Sequence, residues 1–121
     1  MTKIMIIDDS SLSRRLLRRI LETAGYQVVE ISGAAGALET FSAEKPDLVL
    51  LDLVMPGTHG LEFLVQLRVR NPHVRVVVAT ADIQTSTKAM AESAGALGYV
   101  TKPFVPDQVI DAIKSALRVT V

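Results

Sequence analysis

At 121 residues the chain holds one domain with one core, since domains run to about 100 to 200 residues, and a second folded domain is excluded. Hydrophobic residues make up 49% and charged residues 21% of it, which excludes disorder by composition. Thirteen basic and thirteen acidic side chains cancel, so neither nucleic acid nor a membrane is expected as a direct partner, and the absence of cysteine excludes disulfides and thiolate metal sites.

The opening Met1-Thr2-Lys3-Ile4 runs within a few residues into Asp8-Asp9, too short an apolar stretch for a signal peptide, so a cytoplasmic location is expected. Ile4 to Ile7 predicts a first strand. Leu12, Leu16, Leu17, Ile20 and Leu21 then recur at helical spacing after Ser10-Ser11, and Gly25 ends the helix. Leu12 is expected in the core, with a docking surface beside Asp9 as the alternative. Arg14, Arg15, Arg18 and Arg19 are expected to form a solvated face, the alternative being attraction of an acidic partner.

Val28 to Ile31, with Glu30 in its middle, predicts a strand near the sheet edge, and Ala34 to Ala43 a helix burying Leu38 and Phe41. Leu48 to Leu51 predicts a central strand, and Leu61 to Arg70 a helix burying Leu64 and Leu67 before Pro72. Val76 to Ala79 is a further central strand, Thr85 to Ala94 a helix burying Met90, and Gly98 to Val100 a short outer strand. Asp107 to Leu117 closes the series with Ile110, Ile113 and Leu117 as buried positions. This alternation predicts an α/β fold built on a parallel sheet. The longest apolar runs fall far short of the roughly 20 residues that span a bilayer, and no linker, low-complexity tract or repeat interrupts the pattern.

Open α/β sheets bind ligands beyond the carboxyl ends of their strands. Those ends are Asp8-Asp9, Asp52, Thr80 and Lys102, which would bring three carboxylates, a hydroxyl and an ammonium to one edge. Like charges at 4 Å repel by about 4 kcal/mol at an effective dielectric of 20, so the cluster needs a cation. Lys102 supplies one charge, and an all-oxygen donor set suits a hard divalent ion such as Mg²⁺. Zinc has little support, because His59 and His73 lie far from the acidic pair in sequence. A metal on Asp9 and Asp52, with Lys102 and Thr80 alongside, suits phosphoryl transfer. Asp52, alone at the end of a central strand, is then the nucleophile that forms an acyl phosphate, while Asp8 and Asp9 form a cation-binding pair.

The acidic pair, Asp52-Leu53-Val54-Met55-Pro56-Gly57 with Gly60, Thr80-Ala81, and Tyr99-Val100-Thr101-Lys102-Pro103-Phe104 together resemble the response-regulator receiver family over essentially the whole chain, residues 1–121. The stand-alone chemotaxis or sporulation type is the nearest kind. The resemblance implies a flavodoxin-like, doubly wound five-stranded sheet in the order 2-1-3-4-5 with five helices. It implies phosphorylation of Asp52 and Mg²⁺ held by Asp9, Asp52 and the Val54 carbonyl, with Asp8 acting through the metal's water shell. Lys102 would pair with the acceptor, Thr80 would move toward the phosphoryl oxygen, Ala81 would leave it room, and Tyr99 would be the switch aromatic. Lys102-Pro103 resembles the family's cis bond. The implied partners are a histidine kinase or histidine phosphotransfer protein and an unidentified downstream protein, as in a two-component system or phosphorelay. The chain would be a phosphoacceptor that promotes its own phosphorylation and dephosphorylation, rather than an enzyme.

Taken singly, each residue has an ordinary structural role: Asp8, Asp9, Ser10 and Thr80 as helix caps, Asp52 as a turn residue, Lys102 as a surface cation, Tyr99 as a half-buried strand aromatic. Their joint occurrence at one sheet edge favours the chemical reading. A haloacid-dehalogenase-type phosphatase would place an acid where Val54 stands, and Asp8-Asp9 would repel the phosphate of a flavodoxin-like flavin. A degenerate receiver acting only as an interaction module is the remaining alternative, against which the set of Asp9, Asp52, Thr80 and Lys102 is complete. Leu97-Gly98 replaces the acidic pair that many DNA-binding response regulators use to dimerise, so a monomer or weak dimer is expected. The face of the fourth helix, fifth strand and fifth helix is then free for a different target.

Overall fold

The computed structural model describes residues 1–121, the side chain of Thr58 excepted. In chain order the elements are β1 (Lys3–Ile7), α1 (Ser11–Thr23), β2 (Gln27–Ile31), α2 (Ala37–Glu44), β3 (Leu48–Leu51), β4 (Val54–Met55), β5 (Thr58–His59), α3 (Gly60–Arg70), β6 (Val76–Thr80), α4 (Thr85–Ser93), β7 (Gly98–Thr101) and α5 (Pro106–Arg118). Five strands pair in parallel in the order β2-β1-β3-β6-β7, which is 2-1-3-4-5 counted within that sheet, as the resemblance implied. Among the described residues no helix is long and apolar enough to cross a membrane.

The continuous apolar strands follow from a sheet covered on both faces, because successive side chains point to opposite sides. Met5, Ile7, Val49, Leu51, Val76 and Val78 face a core completed by α2, α3 and α4. Ile4, Ile6, Leu48, Leu50, Val77 and Ala79 face a second core completed by α1 and α5. Both edge strands, β2 and β7, are more exposed than the central ones.

Helical phase corrects several sequence expectations. In α1 the buried positions are Ser13, Leu17 and Leu21. Leu16 and Leu12 stand about 100° and 140° around the helix from Leu17, and Leu12 is 61% exposed rather than in the core. Met90 is likewise exposed: its neighbour Ala91 is the buried anchor of α4, a small side chain that permits a close approach to the sheet. Leu64, Leu67 and Ile113 are buried as expected, with Leu38, Phe41, Ile110 and Leu117 packed partly buried against the two cores.

The second helix starts at Ala37, not Ala34, because Gly36 sits at φ 75°, a left-handed conformation that cannot be propagated into a right-handed helix. The hairpin β4–β5 was not anticipated as strand pairing. Its turn is built on Pro56-Gly57, with Gly57 at φ 71°, as the second central position of a type II turn requires.

Candidate functional site

Sheet register assembles the site. Ile7 pairs with Leu51, so the next residues, Asp8 and Asp52, emerge side by side, and the Asp52 amide donates to the Ile7 carbonyl at 3.0 Å. Thr80 pairs with Thr101 at the ends of β6 and β7, and the Lys102 amide donates to the Thr80 carbonyl at 2.9 Å. The four strand ends thus deliver Asp8, Asp52, Thr80 and Lys102 to one edge, with Asp9 following Asp8 at the surface.

Asp8 is 1% and Asp52 3% exposed, burial that an ionised carboxylate tolerates only with partners. Asp52 Oδ1 accepts from the Val54 amide at 2.9 Å and Oδ2 from Lys102 Nζ at 3.1 Å. Asp8 Oδ1 accepts from the Ser10 amide at 2.9 Å, while its Oδ2 lies 3.0 Å from Lys102 Nζ in an orientation that makes no directed hydrogen bond. Burial pushes the Asp8 carboxyl above its ordinary pKa, and the Asp52 charge adds to that effect against the lowering by Ser10 and Lys102. Burial by itself would lower the Lys102 pKa, but the close negative charges of Asp8 and Asp52 outweigh it and the ammonium is held above its ordinary value.

One oxygen from each of Asp8, Asp9 and Asp52 lies within 4.8 Å of the others. Among the described residues this is the group of three acidic or imidazole side chains close enough to share a metal, and it contains neither histidine. The donor set fits a hard cation: all oxygen, two carboxylates buried, one buried oxygen without a directed donor, and Asp9 open to water.

Beside the acidic cluster, Thr80 is fully buried and its Oγ1 accepts from the Asp82 amide at 3.3 Å. Tyr99 is half-buried on β7, and its hydroxyl donates to the Asp82 carbonyl at 2.7 Å. Burial raises the Tyr99 pKa, with Asp82 and Asp52 acting in the same direction, so the phenol is a donor at neutral pH. Asp82 also accepts from the Gln84 amide at 2.9 Å and the Thr87 hydroxyl at 3.0 Å, which fixes the loop between β6 and α4. The Lys102–Pro103 bond is cis, and Val54 is exposed beside Asp52.

Two members of the surroundings were missed as a working pair, Arg14 and Glu30. Arg14 donates to the Asp8 carbonyl at 2.8 Å and pairs with Glu30 at 3.2 Å, and Arg18 also pairs with Glu30. Helical phase separates them from their neighbours: Arg14 and Arg18 stand about 60° and 100° from Leu17, flanking the core, whereas Arg15 and Arg19 point away.

The family model described as response regulator receiver domain matches residues 4–114. Sporulation initiation phosphotransferase F of Bacillus subtilis is 36% identical over 115 residues, covering 95% of this chain and 93% of that protein. Chemotaxis protein CheY of Listeria monocytogenes is 32% identical, covering 98% of this chain and all of that protein. The crystal structure of a CheY-like receiver domain protein from Methanospirillum hungatei JF-1 superposes with a TM-score of 0.89 at 27% identity, covering 97% of this chain and 94% of that one.

Proposed function

This chain belongs to the response regulator receiver domain family, and from that premise we propose that it accepts a phosphoryl group on Asp52 in two-component signalling. The observation that carries the reading is the environment of Asp52: a buried carboxylate at the end of a central strand, 3.1 Å from Lys102 and within 4.8 Å of two further carboxylates. The donor is the phosphohistidine of a histidine kinase or phosphotransfer protein, in keeping with a relative named a phosphotransferase of sporulation initiation. The whole chain, residues 1–121, acts as the receiver, working in the cytoplasm as a monomer or weak dimer.

Mg²⁺ would be held by Asp9, Asp52 and the Val54 carbonyl, with Asp8 acting through water, and when bound it would neutralise charge on the incoming phosphoryl group. The chain's own residues do the rest. Ser10 and Lys102 hold Asp8 in place while the Val54 amide orients Asp52 by donating a hydrogen bond to Oδ1, leaving Oδ2 beside Lys102. Asp52 attacks phosphorus, the phosphorus–nitrogen bond to the donor imidazole breaks, and the acyl phosphate forms. Lys102 pairs with the new anionic oxygens, relieved of a carboxylate charge it previously balanced. Thr80 Oγ1 turns toward a phosphoryl oxygen and releases the Asp82 amide, whose carbonyl holds Tyr99. Tyr99 then repositions on the α4–β7–α5 face, and that face controls a downstream protein.

Intact-mass spectrometry after incubation with acetyl phosphate tests this directly. A gain of one phosphoryl group that requires Mg²⁺ and is absent from Asp52→Asn is the expected result. No gain in the wild type would favour the interaction-module reading.

A further inference from the structure

The arginines of α1 divide into two classes, and one of them reaches the acidic centre. Arg14, whose side chain is 18% exposed, uses two parts of a single planar guanidinium: Nη1 donates to the Asp8 backbone carbonyl at 2.8 Å, and Nε pairs with Glu30 Oε1 at 3.2 Å. Glu30 lies on β2, in register with Ile6 of β1, two residues before Asp8. The Asp8 amide is tied to the same strand through the Ile31 carbonyl at 3.2 Å. The peptide units on both sides of Asp8 are therefore anchored to β2, the first by a backbone bond and the second through Arg14.

We infer that Arg14 is a positioning residue for the cation-binding segment Asp8-Asp9, acting as a rigid bridge from Glu30 to the Asp8 carbonyl. The inference rests on the proposed binding of a divalent cation by Asp8, Asp9 and Asp52, and adds to it the group that fixes the geometry of that segment. The bridge needs a guanidinium, because its donors diverge in a fixed plane and hold both partners in one geometry, whereas a lysine ammonium is a point charge on a flexible stem that fixes no such plane. It also needs Glu30. Without that carboxylate, a cationic side chain beside the acidic centre would compete electrostatically with the metal and would have no reason to hold its position. Arg18, which binds Glu30, Glu22 and the Val28 carbonyl, supports Glu30 from the outer side and does not itself touch the Asp8-Asp9 segment. Groups that orient metal ligands without touching the metal typically change affinity by 10- to 100-fold when removed.

The test is calorimetric titration of the full chain with MgCl₂ for the wild type, Arg14→Ala, Arg14→Lys, Glu30→Gln and the double variant Arg14→Ala/Glu30→Gln. Circular dichroism in EDTA establishes that each is folded. The expected result is Mg²⁺ binding about ten-fold weaker in Arg14→Ala, intermediate in Arg14→Lys, and no weaker in the double variant than in Arg14→Ala alone. Acetyl phosphate labelling should fall in Arg14→Ala at low Mg²⁺ and return to the wild-type extent at saturating Mg²⁺, a split that general destabilisation does not produce. Where Arg14→Ala does not fold, Glu30→Gln, which removes only the far anchor, carries the same comparison. Wild-type affinity in folded variants, or a full extra loss from Glu30→Gln on top of Arg14→Ala, overturns the bridge while leaving the phosphoacceptor reading intact. A wild type that binds no Mg²⁺ overturns both.

Discussion

Replacing Lys102 by methionine keeps the length of the side chain and removes its charge from between Asp8 and Asp52. The two carboxylates are almost fully buried, and their oxygens lie within 4.8 Å, where the repulsion is about 3.5 kcal/mol or more at an effective dielectric of 20. Breaking a buried ion pair by deleting one partner typically costs about 3 to 5 kcal/mol. The Lys102 side chain is 22% exposed, so water reaches the site and the expected loss is about 2 to 4 kcal/mol in the absence of divalent ions. Urea unfolding followed by far-UV circular dichroism in EDTA measures it. Millimolar MgCl₂ should restore more stability to the variant than it adds to the wild type, because a bound cation replaces the missing ammonium. The pH dependence has a definite sign. Asp8 has its pKa raised above 3.8 on folding, so the native state binds more protons and stability falls as pH rises through the interval between 3.8 and the folded value. The variant's deficit should therefore be largest at neutral pH and shrink on acidification through that interval. A Lys102→Met protein as stable as wild type in EDTA at neutral pH would refute the view that Lys102 holds the carboxylates together.

Asp8→Asn should stabilise the metal-free protein, since it removes the charge that burial disfavours, and should weaken Mg²⁺ binding by at least about ten-fold; thermal melts with and without MgCl₂ read both effects, and a loss of stability in EDTA contradicts the argument. Gly60→Ala places a Cβ inside the backbone of Leu53, next to Asp52, so a loss of about 1 to 3 kcal/mol or more is expected in urea unfolding, with slower labelling by acetyl phosphate. Leu17→Ala should cost about 2 to 5 kcal/mol while Leu12→Ala stays within about 0.5 kcal/mol; equal losses would mean that α1 presents a different face to the sheet.

The strands and the acidic edge were legible in the sequence for one physical reason. A sheet covered on both faces makes the positions of its central strands apolar, so Ile4 to Ile7, Leu48 to Leu51 and Val76 to Ala79 stand out, and the first polar residue after each run falls at a common edge. The apolar runs alone therefore place Asp8, Asp52 and Thr80 together. The sheet order itself required the family resemblance, because periodicity says nothing about which strands are neighbours. Leu12 and Met90 misled because hydrophobic spacing locates a helix more easily than it fixes which part of an arc meets the core. The start of α2 depended on the left-handed backbone of Gly36, which a glycine permits without announcing. The Arg14–Glu30 bridge was hidden for a different reason: it joins a helix to a strand, and only their packing shows that a charge within a basic run turns inward.

Phosphoryl transfer to Asp52 is tested most directly by finding the modified residue itself. Reduction of the acetyl phosphate-treated protein with borohydride converts an aspartyl phosphate to homoserine, and tandem mass spectrometry of its peptides then locates the changed residue. Homoserine at position 52 with unmodified Asp8 and Asp9, in a reaction that depends on Mg²⁺, is the expected result. Homoserine at position 8 or 9, or none anywhere after Mg²⁺-dependent labelling conditions, would contradict it.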